Sequence, residues 1–289
     1  MTDSAESIET IAVLGAGTMG MGIAHVGALA GFQTRLFDVS AEQLERAQAT
    51  TARRLNKGVD LGKVTPEARD AALERIDLQG SLEAAIDGVD LVIEAAPEKL
   101  DLKLDLFGTC DRYCPEHTIL ATNTSSMSVT EIAASTQRPE RCIGMHFFNP
   151  VHLMKLIELV RGLETSEETI AVAEAVSARM GKESVVIKDY AGFATSRINA
   201  MIGNEAFYML EAGVGTARDI DKALKLGLNH PMGPFEMIDL VGLDTRLSIL
   251  NYLHAKLGEK YRPCPLIEQY VKAGRLGKKV GRGVYDYTD

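Results

Sequence analysis

Apolar residues in this chain fall into short runs separated by longer stretches of helical spacing. Runs at 11–14, 34–37, 89–95, 118–121, 142–145, 156–160 and 184–187 are short and dense enough to read as buried strands. The run at 89–95, Val-Asp-Leu-Val-Ile-Glu-Ala, has the near-continuous apolarity of a parallel sheet covered on both faces. Between the runs, the spacing predicts helices. One covers 41–56, with Ala41, Leu44, Ala47 and Leu55 on one face. Gly58 to Gly62 breaks it. Another starts with Thr65 as N-cap and Pro66 at the first helical position. A third follows Glu98, and a fourth spans 166–180 and closes at Gly181. This alternation predicts an α/β domain with a mainly parallel sheet. After Ala191 the pattern changes to helices alone, at 195–211, 217–226 and 235–257. The boundary therefore falls near 188–192, giving an N-terminal domain of 1–188 and an all-α C-terminal domain of 189–289.

Composition excludes several classes. The 289 residues are 46% hydrophobic and 25% charged, which is enough apolar material for a core. No apolar run approaches the ~20 residues of a membrane span. The first ten residues are acidic and polar, unlike a signal peptide. A net charge of −9 argues against nucleic acid as a partner, while leaving room for an anionic ligand on a local basic cluster. The four cysteines lack the two-plus-two spacing of a zinc site, so no metal is expected. Unpaired thiols fit a cytoplasmic protein.

The 11–14 run leads into Gly15-Ala16-Gly17-Thr18-Met19-Gly20, a G-x-G-x-x-G between a strand and a helix. Gly15 permits the tight turn, Gly17 lets the backbone approach a pyrophosphate, and Gly20 lets helix and strand pack closely. The N–H groups at the helix start, around Thr18 and Met19, then face phosphate. Asp38 ends the next strand, 18 residues past Gly20, where a ribose-binding acid belongs. Its charge opposes a 2′-phosphate and so selects NAD over NADP, although Arg35 lies close by. Asp38 could instead cap the helix beginning near Ala41.

The chemistry is expected between Ala121 and Val160. One run stops at Thr122-Asn123-Thr124-Ser125-Ser126, a second at His146 with Asn149-Pro150 beyond, and a third carries Glu158 between Ile157 and Leu159. A carboxylate in an apolar strand needs a partner, and His146 can supply one. A carboxylate on one ring nitrogen fixes the tautomer and leaves the other nitrogen to move a proton. The plainer reading has His146 capping a turn and Glu158 facing water. Likewise Glu98 and Lys103 either flank a cofactor or form a solvated charge pair at a helix start. Arg53, Arg54 and Lys57 either complement the end of their helix or bind phosphate.

Together these motifs resemble the L-3-hydroxyacyl-CoA dehydrogenase family. The likeness runs through Gly15–Gly20, Asn123-Thr124-Ser125-Ser126, His146-Phe147-Phe148-Asn149-Pro150 and Met154-Lys155-Leu156-Ile157-Glu158. It continues through Asn229-His230-Pro231-Met232-Gly233-Pro234 and the ending Gly281-Arg282-Gly283-Val284-Tyr285-Asp286-Tyr287. The resemblance implies a Rossmann-type NAD domain followed by a helical domain that supplies a substrate cleft and homodimer contacts. It implies an acyl-CoA substrate of short chain. His146 would be the catalytic base and Glu158 its orienting carboxylate. Ser125 would contact the reacting oxygen and the nicotinamide region, and Asn149 would help hold the nicotinamide. Glu98, Lys103 and Asn123 join the cofactor contacts, and Lys57 with Arg53 or Arg54 would meet the CoA phosphates. Family members carry an asparagine where Gly192-Phe193-Ala194-Thr195-Ser196-Arg197 has Ser196, so the substrate contact there changes from an amide to a hydroxyl. Two rivals are a dehydrogenase of a free hydroxy acid and a catalytically silent NAD-binding protein.

Overall fold

The computed structural model of the protein describes residues 8–287. The chain separates between Asp189 and Tyr190 into two compact units. The first runs β1 (Thr10–Leu14), α1 (Thr18–Leu29), β2 (Gln33–Phe37), α2 (Ala41–Asp60), α3 (Pro66–Glu74), β3 (Ile76–Gln79), α4 (Leu82–Ile86), β4 (Leu91–Glu94), α5 (Leu100–Tyr113), β5 (Ile119–Thr122), α6 (Val129–Ala133), β6 (Cys142–Phe147), β7 (Leu156–Arg161), α7 (Glu167–Arg179) and β8 (Glu183–Lys188). Its eight strands lie in the order β3-β2-β1-β4-β5-β6-β7-β8. All neighbours are parallel except β6 and β7. The second unit is helical: α8 (Thr195–Glu211), α9 (Ala217–Gly227), α10 (Pro234–Val241), α11 (Leu243–Leu257) and α12 (Pro265–Lys272).

Period-two alternation divides the central strands between two cores. Ile11, Val13, Leu91, Ile93, Ile119, Ala121, Ile143, Met145, Ile157 and Leu159 pack with α1 and α7. Ala12, Leu14, Val92, Leu120 and Cys142 pack on the opposite face with α4, α5 and α6. Glu94, Thr122, His146 and Glu158 sit at positions of this second parity, so four polar side chains point to one face of an otherwise apolar sheet.

Helix starts follow local chemistry. The hydroxyls of Ser40, Thr65, Ser81, Ser128, Ser166 and Thr216 each accept from the amide three residues on. Such a cap stabilises a helix by about 1 kcal/mol. The cap of α2 is Ser40, so Asp38 does not perform that role.

Three expectations from the pattern need correction. The strand β3 was not anticipated, because Ile76-Asp77-Leu78-Gln79 is short and only half-buried at the sheet edge. The helix expected over 41–56 runs on to Asp60; its break falls inside the expected Gly58–Gly62 stretch, at Gly62 rather than Gly58. The single helix expected at 235–257 is two helices. Gly242 interrupts it with φ +105°, outside helical space, and donates its N–H to the Ile238 carbonyl at the end of α10. The closing segment packs through its two tyrosines. Tyr285 donates to Asp221 and Tyr287 to Asp239, both buried. The four cysteines are buried thiols, and no helix among the described residues is long and apolar enough to cross a membrane.

Candidate active site

The loop between β1 and α1 is shaped by what glycine lacks. Gly15 has φ +107°, and a Cβ there would lie 2.7 Å from the Ala95 carbonyl oxygen. A Cβ on Gly20 would lie 1.7 Å from the Gly15 carbonyl oxygen. A side chain at Gly15 would press the loop against the backbone that follows β4, and one at Gly20 would drive the helix from the loop. Gly17 differs: a Cβ there meets nothing within 4 Å, so packing inside the chain does not require its glycine. Gly17 is also the N-cap of α1 and provides no side-chain cap. The first amides of α1, with half-buried Met19 and exposed Thr18, stay available to an outside acceptor. These features fit the pyrophosphate of a dinucleotide.

Asp38 closes the loop from the end of β2. One carboxylate oxygen accepts from Ala16 N at 2.8 Å and the other from Ser40 N at 2.9 Å. The side chain is therefore oriented before any ligand arrives. Arg35 is turned elsewhere, donating to the carbonyls of Ala84 and Asp87 around α4.

A second cluster ties the ends of β4 and β5 together. Glu94 and Thr122 are register partners, and Thr122 Oγ1 donates to Glu94 at 2.7 Å. Lys103 Nζ lies 2.7 and 3.0 Å from the two Glu94 oxygens. Glu94 is 0% and Lys103 1% exposed. Lys103 also reaches Glu98 at 3.2 Å. Glu98 in turn accepts from Thr124 Oγ1 and from Ser125 N at 3.1 Å. The reading of Glu98 and Lys103 as a solvated pair is thus corrected: Lys103 is sealed between two carboxylates, and only Glu98 reaches the surface. The chain of contacts fixes the loop that carries half-buried Ser125. Asn123 braces it from the other side, its Oδ1 accepting from Phe147 N at 2.9 Å. Glu94 was not singled out from the sequence, and Thr122 and Thr124 entered only as members of the hydroxyl cluster at 122–126. Glu94 carried the same signal as Glu158, an acid in an apolar strand run.

The third cluster rests on the antiparallel turn of the sheet. β7 runs back along β6 with His146 directly opposite Glu158. His146 Nδ1–H donates to Glu158 Oε2 at 2.8 Å. Glu158 is 0% exposed and His146 7%, so the water-facing reading of Glu158 does not hold. Phe148 lies against the His146 ring, with centroids 4.5 Å apart. A buried carboxylate on Nδ1 sets the tautomer and assigns proton traffic to Nε2. Asn149 follows on the exposed side of this strand end.

Arg53, Arg54 and Lys57 line the last turns of α2, with Arg53 and Lys57 exposed and Arg54 half-buried. Ser196 lies in the second unit, in the first turn of α8 and half-buried. Among the described residues no three histidine, cysteine or acidic side chains gather as metal ligands would.

Comparison with known proteins gives the family of both units. The model of the 3-hydroxyacyl-CoA dehydrogenase NAD-binding domain matches residues 10–190, and that of the 3-hydroxyacyl-CoA dehydrogenase C-terminal domain matches 192–287. A probable 3-hydroxybutyryl-CoA dehydrogenase of Bacillus subtilis is 50% identical over 98% of both chains. A 3-hydroxybutyryl-CoA dehydrogenase of Bradyrhizobium diazoefficiens is 48% identical over 97% of this chain and 96% of its own. The crystal structure of the (S)-3-hydroxybutyryl-CoA dehydrogenase of Ralstonia eutropha superposes with TM-score 0.94 at 43% identity, covering 98% of this chain and 100% of that one.

Proposed function

The chain belongs to the 3-hydroxyacyl-CoA dehydrogenase family, and from that premise we propose that it interconverts short-chain (S)-3-hydroxyacyl-CoA and 3-oxoacyl-CoA, with 3-hydroxybutyryl-CoA and acetoacetyl-CoA as the working pair. The observation that carries the chemistry is the buried His146–Glu158 bond, on the same sheet as the dinucleotide loop.

Gly15, Gly17, Thr18, Met19, Gly20 and Asp38 would hold NAD, which would supply the hydride acceptor. Ser125, Asn123 and Asn149 hold its reactive end. Glu98 flanks it directly, and Lys103 acts through the carboxylates it holds, since burial leaves its ammonium almost no open contact. The preset Asp38 carboxylate supports NAD over NADP, because a 2′-phosphate would meet its charge.

His146 takes the substrate hydroxyl proton at Nε2 while its Nδ1–H stays bonded to Glu158. The carboxylate stabilises the imidazolium so formed. In reduction, the same Nε2–H returns a proton to the ketone oxygen. Ser125 bonds the reacting oxygen and orients it toward the ring. Ser196 contributes a hydroxyl to substrate binding, and Arg53, Arg54 and Lys57 meet the CoA phosphates. Its cysteines, all free thiols, support a cytoplasmic enzyme, and the family resemblance supports a homodimer.

The test follows NADH absorbance with acetoacetyl-CoA, with free acetoacetate and NADPH as parallel controls. Oxidation that requires both the thioester and NADH is expected. Activity on the free acid alone would reassign the substrate class, and NADH binding without turnover on any acyl-CoA would leave a silent nucleotide-binding protein.

A further inference from the structure

A cavity in the second unit takes no part in the chemistry proposed above. It lies between α9, the start of α10 and the closing segment, with a volume of about 680 Å³. That is the size of a small-molecule or cofactor site. Arg218, Lys222 and Lys225 line it from α9. Their spacing of four and then three residues puts them on one face of the helix. Lys278 lines it from the closing segment. Against these four cations stand two carboxylates, Asp221 and Glu236. The cavity is thus cationic in a chain whose net charge is −9.

Both carboxylates are already engaged. Asp221 is 3% exposed and accepts from the amides of Phe235 and Glu236 at 2.8 and 3.1 Å and from the Tyr285 hydroxyl at 2.7 Å. Glu236 accepts from Lys225 at 2.8 Å and from the Gly233 amide at 3.0 Å. The other three cations, Arg218, Lys222 and Lys278, have no ion pair among the described residues. Arg218 and Lys222 are like charges one turn apart, an arrangement that by itself weakens a helix. Lys278 lies 5.3 Å from the centroid of the Tyr287 ring, so free charge and aromatic surface adjoin. The rest of the wall is apolar. It consists of Leu226, Met232 and the rings of Tyr285 and Tyr287, whose hydroxyls are held by Asp221 and Asp239. With both tyrosines anchored, this wall is in place before any ligand arrives.

We propose that this cavity binds a nucleoside di- or triphosphate, at a site separate from the glycine loop of the first unit. A chain of phosphates carries several negative charges and enough acceptor oxygens for Arg218, Lys222 and Lys278 together. The apolar wall beside them takes the base. Inorganic phosphate would leave that wall uncovered. An apolar acid with a single charge would cover the wall and leave most of the cations unmatched. A nucleotide meets both halves at once. The site does not depend on the substrate proposed above, because every lining residue belongs to the second unit and none is assigned to NAD or acyl-CoA.

The experiment is a calorimetric titration of the full chain with ATP, in the presence of saturating NADH and CoA so that ATP cannot report on their sites. One ATP per chain is expected. It should bind at least about tenfold more tightly than adenosine or tripolyphosphate, each of which offers only one half of the recognised chemistry. The affinity should fall as salt is raised. Arg218→Glu and Lys222→Glu should each weaken ATP binding at least about tenfold. Both side chains are exposed, and a glutamate at position 218, in the first turn of α9, suits the helix dipole. Unfolding midpoints equal to wild type then assign the lost affinity to the site. Absence of ATP binding once NADH and CoA are present, or an affinity unchanged in both variants, overturns the proposal. Tripolyphosphate binding as tightly as ATP overturns it too, since the wall then takes no base. So does a polyglutamate peptide that binds more tightly than ATP, which would give the cavity to an acidic protein segment. A chain that fails to turn over acetoacetyl-CoA would end the proposed function and leave every arm of this titration readable.

Discussion

Glu94 at the end of β4 and Glu158 within β7 are both carboxylates in apolar strands, both fully buried and both directed to the same face of the sheet. Their partners differ in kind. Glu94 is matched by Lys103, an ammonium sealed at 1% exposure, and by Thr122 and the Ala96 amide. Glu158 is matched by an imidazole. A permanent cation in a closed network holds loops in place, and nothing about it needs to change during a reaction. An imidazole whose Nδ1 is held by a carboxylate changes charge when Nε2 takes a proton. The first pair suits rigidity, and the second suits the proton transfer proposed for it. The first also serves the second, because Lys103 and Glu98 fix the Ser125 loop beside the ends of the same strands.

The largest expected effect comes from breaking the rigid pair. Lys103→Met leaves Glu94 buried without its counter-charge, which typically destabilises a protein by about 3–5 kcal/mol. Thermal or urea unfolding should register that loss, and an unchanged midpoint would remove the structural role given to the pair. In the other pair, His146→Gln should fold normally and bind NADH, but lose at least about a hundredfold in turnover. Steady-state kinetics check this, and wild-type turnover in a folded variant would end the assignment of His146 as the base.

His25 sharpens the contrast, since it is a buried imidazole among cations with no carboxylate. Its folded value near 4 lies below the ordinary 6.5, so the unfolded chain binds the extra proton between these values. Stability from this group is present above about 6.5 and is lost as pH falls toward 4. At about pH 5 the loss should reach roughly 2 kcal/mol. His25→Gln should flatten the acid limb of the stability curve; equal limbs in the two proteins would contradict the burial argument. The smallest effect is reserved for Glu158→Gln, which keeps the shape of the His146 partner and removes its charge. A loss of about tenfold in turnover is expected, of the size of one charge-assisted hydrogen bond, and kinetics beside the His146 variant would show whether the carboxylate acts only through the ring.

Much of this architecture is legible in the residues. Short apolar runs give the strands, and hydroxyl residues ahead of helical spacing give the starts at Thr65 and Ser166. The glycine pattern gives the tight strand-to-helix loop of the NAD-binding domain, and the oddity of Glu158 points to the proposed site. Each is a local signal, carried by neighbours within a few positions. The same logic could have found Glu94, but its sealed partner Lys103 is nine residues on, in an amphipathic helix where a lysine looks ordinary. The break at Gly242 was hidden for a related reason: a single glycine in apolar helical spacing is compatible with a continuous helix or with two.

What the sequence by itself determined is the class of fold, the family and the set of side chains from which the proposed chemistry is drawn. Periodicity, turn chemistry and residue type are properties of short segments. What only the tertiary structure decided is which of these side chains meet. His146 and Glu158 pair because β7 runs antiparallel in a sheet whose other strand neighbours are all parallel. That reversal places residues twelve apart in register. Glu94, Lys103, Glu98 and Ser125 form one network because β4 and β5 are neighbours in the sheet. His25 and His152 stack across 127 positions of chain because α1 packs where the segment after Pro150 passes. Strand order and direction arise from burying the whole sheet at once, and no short stretch of sequence encodes them.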